Sequence, residues 1–267
     1  YGPHPLGYDT GFYNQAINQA RLASAPHFRL DNLGVEAIFR ALTHFGLSNN
    51  IILYFIPILI TALSGLAVFF VVKLYFSERA AYFSLIIYSL SFTQYLVYWE
   101  MLWKNIIGIF LALAVFYFIE KGGKRNLLPA LLSAIVLLFI HKTSFFILAL
   151  ALFFYLPVKK IRYKYLTLFL IFLLALAGLF IYKDSAKLLL NQIFSQGNVY
   201  DFFSLRTGIF ISSLEYLKFS WYYLPFALIA IFWLFKKKEF NLLLVFALVC
   251  LPLVIFKFIF YERLLIY

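Results

Sequence analysis

An all-α bundle of helices threaded through a membrane is what this chain of 267 residues predicts, on three observations. Hydrophobic residues make up 64% and charged residues only 13%, far from the make-up of an ordinary water-soluble domain. The apolar residues come in long runs, separated by short polar gaps. Charge is also sided: four gaps, at 73–79, 120–125, 159–164 and 236–239, hold 12 of the 23 Lys and Arg against three carboxylates. The remaining gaps hold 11 basic and 8 acidic residues, and they alternate with the basic ones. Short loops rich in Lys and Arg mark the cytoplasmic side of a membrane chain.

The elements follow in order. Residues 1–50 read as an outside loop with helices of its own. Asp9 and Thr10 can cap a helix running to about Ala23, because both side chains accept from free backbone N–H groups, and Pro26 ends that region. Over 33–45, Leu33, Ala37, Ile38, Ala41, Leu42 and Phe45 recur at helical spacing while Glu36, Arg40 and His44 face away. That pattern predicts an amphipathic helix lying on the membrane surface.

Eight membrane segments come next, at about 51–76, 79–98, 104–119, 127–140, 143–157, 165–182, 219–235 and 240–256. A helix needs roughly 20 apolar residues to cross the hydrocarbon core, which the first two and the sixth meet. The pair flanking His141 and Lys142 is shorter, so two arrangements stand: full crossings, or a hairpin whose tip is recessed in the protein. Both put His141 on the same side as Asp9. With residue 1 outside, the four basic gaps fall inside, and Glu100, His141, Asp201, Arg206 and Glu262 fall outside. Residues 183–218 form a second outside loop with an amphipathic piece near 209–217. Tyr98, Trp99, Trp103, Trp221 and Tyr222 near span ends fit an interfacial aromatic belt. With no internal repeat, 1–267 reads as one transmembrane domain: the outer loop 1–50, a bundle over 51–182, the loop 183–218 and C-terminal helices over 219–267.

The net charge of +12 is therefore an orientation signal, and nucleic acid is excluded as a partner. The single cysteine, Cys250, lies in an apolar run, which rules out a disulfide within the chain and a Cys-based metal site. The single methionine is Met101, so Tyr1 is not an initiator. We expect a fragment that lacks a first transmembrane helix and also stops early, because Leu264, Leu265, Ile266 and Tyr267 read as the opening of another span.

Candidate site residues all fall in the outside segments. Asp9, in GYDTGFY, accepts a proton or holds a cation; its bland alternative is an Asx turn capping the next helix. Glu100 and Lys104, in YWEMLWKN, share a helix face, either as a surface ion pair or turned towards a water-filled cavity. His141 and Lys142, in IHKTSFF, suit a phosphate or metal contact, against an interfacial reading. Arg206 stands in FFSLRTG. In FYERLLIY, Glu262 and Arg263 cannot face one another on one helix; Arg263 either snorkels to the interface or holds a lipid phosphate. No P-loop, HExxH motif or nucleophile elbow is present.

Together GYDTGFY at 7–13, EMLWKNIIGIF at 100–110, HKTS at 141–144 and ERLL at 262–265 resemble the outer-face motifs of GT-C-type integral-membrane glycosyltransferases. That group includes protein O-mannosyltransferases and aminoarabinose transferases. The resemblance covers nearly the whole chain in architecture but only these short stretches in sequence. It implies an enzyme of the prokaryotic cytoplasmic membrane with its active site on the extracytoplasmic face. The donor is expected to be a polyprenyl-phosphate sugar and the acceptor a glycan, lipid or protein. Asp9 carries over as the catalytic base, with Glu100 beside it; a divalent cation such as Mg or Mn would be shared by these two. Lys104, His141, Lys142, Arg206, Glu262 and Arg263 are the expected substrate and phosphate contacts. The chain departs from the group in having no DxD pair beside Asp9, no WWD-type motif and no C-terminal periplasmic domain. The alternatives are a polysaccharide polymerase or ligase with a diphosphate-linked donor, and a lipid or solute transporter.

Overall fold

The computed structural model describes residues 10–22, 33–91, 94, 95, 98, 103–159, 164–183, 224–236 and 240–255. Of these, 92% are helical and none lies in a strand. The chain divides into two compact units, Tyr1–Phe145 and Phe146–Tyr267.

The first unit opens with α1 (Thr10–Leu22) and α2 (Leu33–His44), which pack on each other. The helix expected to run to about Ala23 thus forms over Thr10–Leu22, while its expected cap Asp9 lies outside the described residues. The buried stripe of α2 differs from the expected one: Val35 and Phe39 are buried, with Ile38 and Leu42 beside them, while Ala37, Ala41 and Phe45 are exposed. Tertiary packing wins here. The branched and aromatic side chains offer more area to the core than the two alanines, so they set the rotation of the helix. A Schellman closure ends α2: Leu47 N–H donates to Leu42 O, Gly46 N–H donates to Thr43 O, and Gly46 takes φ +76°.

Ser48 then caps the next helix, accepting from Ile51 N–H at 3.3 Å through its hydroxyl. One wide π turn, Ile51–Phe55, leads into α3 (Ile56–Tyr75). Pro57 lies just past it, where its missing N–H interrupts the ladder in any case. α4 (Glu78–Leu90) is capped by Ser77 and stops earlier than the expected span end at 98. Ser91 is the reason: its backbone is extended, and its hydroxyl then accepts from Gln94 N–H to start a new turn. α5 (Trp103–Lys121) and α6 (Lys124–Ile140) are joined by Gly122 and Gly123, both at positive φ, so they run antiparallel in direct contact. α5 also packs on α3, and its residues 105–109 are all buried. A helix apolar on every side belongs in the middle of a bundle.

α7 (Lys142–Val158) follows after one residue and runs into the second unit, which also holds α8 (Lys164–Ile181), α9 (Leu224–Lys236) and α10 (Leu242–Ile255). There Tyr155 stacks on Phe240 at 6.1 Å, and Asn241 caps α10 by accepting from Leu244 N–H at 2.9 Å. Two helical stretches, Ile51–Tyr75 and Trp103–Lys121, are long and apolar enough to cross a membrane. At 17 residues each, α6 and α7 are about 25 Å long, short of a full crossing.

Candidate functional site

The start of α5 and the end of α6 lie at one end of the first unit, because the two helices are antiparallel neighbours. α1 and α2 close over that end. Tyr13 and Ile17 of α1, Val35 and Phe39 of α2, Ile52 and Leu53, Trp103 and Ile107 of α5 and Ile140 of α6 form one buried core there. Its centre is aromatic: Phe39 meets Trp103 edge-on at 5.2 Å and Tyr13 at 5.7 Å, and Tyr13 lies 6.4 Å from Trp103. Gly34 lets α2 come close enough to touch the Phe139 backbone and the Ile140 side chain. The segment expected to lie on a membrane surface thus forms part of the packed core.

His141 sits between α6 and α7 and belongs to both. Its N–H donates to Leu137 O at 2.8 Å, closing α6, and its carbonyl accepts from Phe145 N–H at 3.1 Å, opening α7. Its side chain, only 5% exposed, also caps α7: Nδ1 accepts from Ser144 N–H at 3.4 Å and meets the Ser144 hydroxyl. A backbone N–H can only donate, so Nδ1 is the acceptor nitrogen and the ring proton lies on Nε2.

Lys104 follows Trp103 in the first turn of α5, and Lys142 opens α7; both are half-buried. The start of α7 at Lys142 carries the positive end of a helix dipole. Lys104, His141 and Lys142 are thus the three expected contacts that the structure places at one end of the first unit. Asp9, Glu100, Arg206, Glu262 and Arg263 lie outside the described residues, as does the loop expected over 183–218 apart from Lys183. Among the described residues no three His, Cys, Asp or Glu side chains come together to hold a metal ion.

Beside this end, α3 and α4 leave an open groove of about 570 Å³. Ile58, Ala62, Leu66 and Leu85 make it apolar; Thr61, Ser89, Gln94 and Tyr98 give it polar edges. Gly65 keeps the helices close, since a β-carbon there would stand 3.2 Å from Leu85 and 3.3 Å from Tyr88.

Trp103 was expected in an aromatic belt at a span end, and it is instead 1% exposed inside the core. Its indole N–H has no hydrogen-bond partner among the described residues, and neither has the Thr10 hydroxyl. A Trp at the head of an apolar run carries no mark that separates a belt position from a core one. Only the packing of α1 and α2 over α5 decides it. Comparison with protein-family models, with curated proteins and with solved structures finds no match to this chain.

Proposed function

We propose that the chain is a polytopic glycosyltransferase of the prokaryotic cytoplasmic membrane. It transfers a sugar from a polyprenyl-phosphate donor to an acceptor hydroxyl on the extracytoplasmic side. The observation that carries this reading is the gathering of Lys104, His141 and Lys142 with two helix starts at one end of the first unit. Two cations and an imidazole at the head of α7 suit the charge that develops on a departing phosphate.

Membrane residence is supported by side chains as well as by helix length. α3 exposes Ile58, Leu66 and Phe70, with Phe55 just before it, and α8 exposes Phe169, Phe172, Leu176 and Phe180. Apolar surface on that scale belongs against lipid. The alternation of basic and mixed gaps threads eight segments, with the helix starts of α5 and α7 outside. The groove between α3 and α4 has the apolar walls and polar edges that an isoprenoid chain with a phosphate head requires.

Asp9 takes the proton from the acceptor hydroxyl, a general-base step worth about 10²–10⁴-fold. The hydroxyl oxygen attacks the anomeric carbon, and the bond to the phosphate oxygen breaks with inversion. Lys104, Lys142, Arg206 and Arg263 balance the phosphate charge, and His141 donates through Nε2–H. Glu100 orients Lys104 or shares a divalent cation with Asp9, and Glu262 contacts substrate. The test is transfer by membranes carrying the full-length protein, offered labelled polyprenyl-phosphate sugars, with Asp9→Asn in parallel. Transfer by the parent and none by the variant is the expected result; near-normal turnover by the variant would remove Asp9 from the mechanism.

A further inference from the structure

We infer that the end of the first unit formed by the α3–α4 and α5–α6 turns is a binding surface for the anionic headgroups of membrane phospholipids. α3 and α5 run parallel. Ile52 and Leu53, just before α3, share a core with Trp103 and Ile107 at the start of α5, and near the other ends Phe70 meets Tyr117 at 6.0 Å. Both turns therefore lie at the end opposite His141. They carry five exposed cations, Lys73 and Arg79 on one and Lys121, Lys124 and Arg125 on the other, against two carboxylates, Glu78 and Glu120. Glu78 is held by Lys73 at 3.0 Å. Among the described residues, Arg79 and Arg125 have no ion-pair partner.

Aromatic rings join the two turns into one surface. Lys73 Nζ lies 5.7 Å from the Phe69 ring, Phe69 meets Phe70 at 5.5 Å, Phe70 meets Tyr117, and Lys121 Nζ lies 5.1 Å from the Tyr117 ring. Tyr82 of α4 joins the row at 5.0 Å from Phe69. Beside the cations the outer faces are apolar, with Phe70, Leu74 and Phe83 exposed.

The partner has to match both layers. A soluble polyanion answers the charge but leaves Phe70, Leu74 and Phe83 against water. A neutral lipid covers those side chains but gives the cations no counter-charge. An acidic phospholipid does both: its phosphodiester meets the arginines and lysines, and its acyl chains lie along the rings. The guanidinium forks of Arg79 and Arg125 suit phosphate oxygens. Lys124 and Arg125 also open α6, where the helix dipole is positive and Gly123 supplies no side-chain cap, so they add to the positive potential instead of offsetting it. This surface rests on membrane residence and is independent of sugar transfer.

The test offers the full-length protein in detergent equal amounts of phosphatidylglycerol and phosphatidylcholine with matched acyl chains, and counts the retained lipids by native mass spectrometry. The combined variant Arg79→Gln/Lys121→Gln/Lys124→Gln/Arg125→Gln is run in parallel. All four side chains are exposed, so its melting midpoint in phosphatidylcholine should equal that of the wild type. The wild type should retain phosphatidylglycerol preferentially, and the variant should lose that preference by about tenfold or more. Arg79→Lys/Arg125→Lys keeps the charge and should keep most of the preference, whatever the folding of the first variant. Equal retention of the two lipids by the wild type, or loss of the preference in the charge-retaining variant, would overturn the surface. Displacement of the bound phosphatidylglycerol by glycerol 3-phosphate would replace the lipid by a soluble phosphate and overturn it too. Recovery of the chain from cells without detergent would remove membrane residence itself, whereas equal retention by the detergent-solubilised protein removes only this surface.

Discussion

A β-carbon built on Gly34 would stand 2.7 Å from the Phe139 carbonyl oxygen and 2.8 Å from Ile140 Cγ1. The near atom is backbone at the last turn of α6, directly before His141, so no side-chain rotation relieves the clash. α2 is therefore seated against the site through a position that only glycine fits.

Gly34→Ala should push α2 off the end of α6 and open the core around Phe39 and Trp103. Overpacking of this kind costs about 1–3 kcal/mol. The expected outcome is a lower melting midpoint together with faster proteolysis between α1 and α2. Wild-type behaviour on both counts would mean that α2 docks elsewhere.

His141 allows its two roles to be separated, because its two ring nitrogens have different work. Nδ1 caps α7 through Ser144, and the proposed transferase reading assigns the substrate contact to Nε2. Asn at 141 can reproduce the Nδ1 acceptor, and Gln reaches towards the place of Nε2. His141→Asn should keep the wild-type melting midpoint and lose transfer by about tenfold or more, the range of one lost charge-assisted hydrogen bond. His141→Gln should lower the midpoint through the lost cap. If His141→Asn keeps full transfer, the residue is a helix cap and nothing more.

Asn49 holds α1 to the entry of α3. Its amide nitrogen donates to Asn14 Oδ1 and to Asn18 Oδ1, both at 2.8 Å, and Arg21 donates to Leu47 O at 2.6 Å nearby. Asn49→Ala removes two hydrogen bonds, each contributing about 0.5–1.5 kcal/mol. A double-mutant cycle with Asn14→Ala should return a coupling above about 0.5 kcal/mol. Additive losses would show that the two amides do not act together.

Much of this architecture was legible in the sequence, for physical reasons that differ from element to element. LTHFGL at 42–47 announces its Schellman closure through Gly46, and the basic gaps mark where α3, α5 and α9 end. The early stop of α4 was hidden, because Ser91 inside an apolar run breaks the ladder only through its own backbone and hydroxyl. The rotation of α2 was hidden too: Val35 and Phe39 against Ala37 and Ala41 is a choice between two apolar stripes that the partner surface makes. At the site, Lys104, His141 and Lys142 could be picked out because a charge amid apolar residues is conspicuous. Trp103 could not, since its burial exists only once α1 and α2 cover it.

Sidedness is open to direct measurement through a repeated device at the helix ends. Lys73 lies 5.7 Å from the Phe69 ring, Lys121 5.1 Å from Tyr117, and Lys159 5.5 Å from Tyr155, each cation one turn beyond its aromatic partner. Lys121 also donates to the Tyr117 hydroxyl at 3.0 Å, and Lys73 pairs with Glu78 at 3.0 Å. A stem laid along a ring with its ammonium at the helix end suits a helix leaving a bilayer. The eight-segment threading puts all three on the cytoplasmic side, opposite His141. With Cys250→Ala as background, single cysteines at Gly123 and at Gly46 should react with a membrane-impermeant maleimide from opposite sides: Gly46 in intact cells, Gly123 only after lysis. Labelling of both from outside would break the threading, and with it the placement of Lys104 and His141 beside an extracytoplasmic donor.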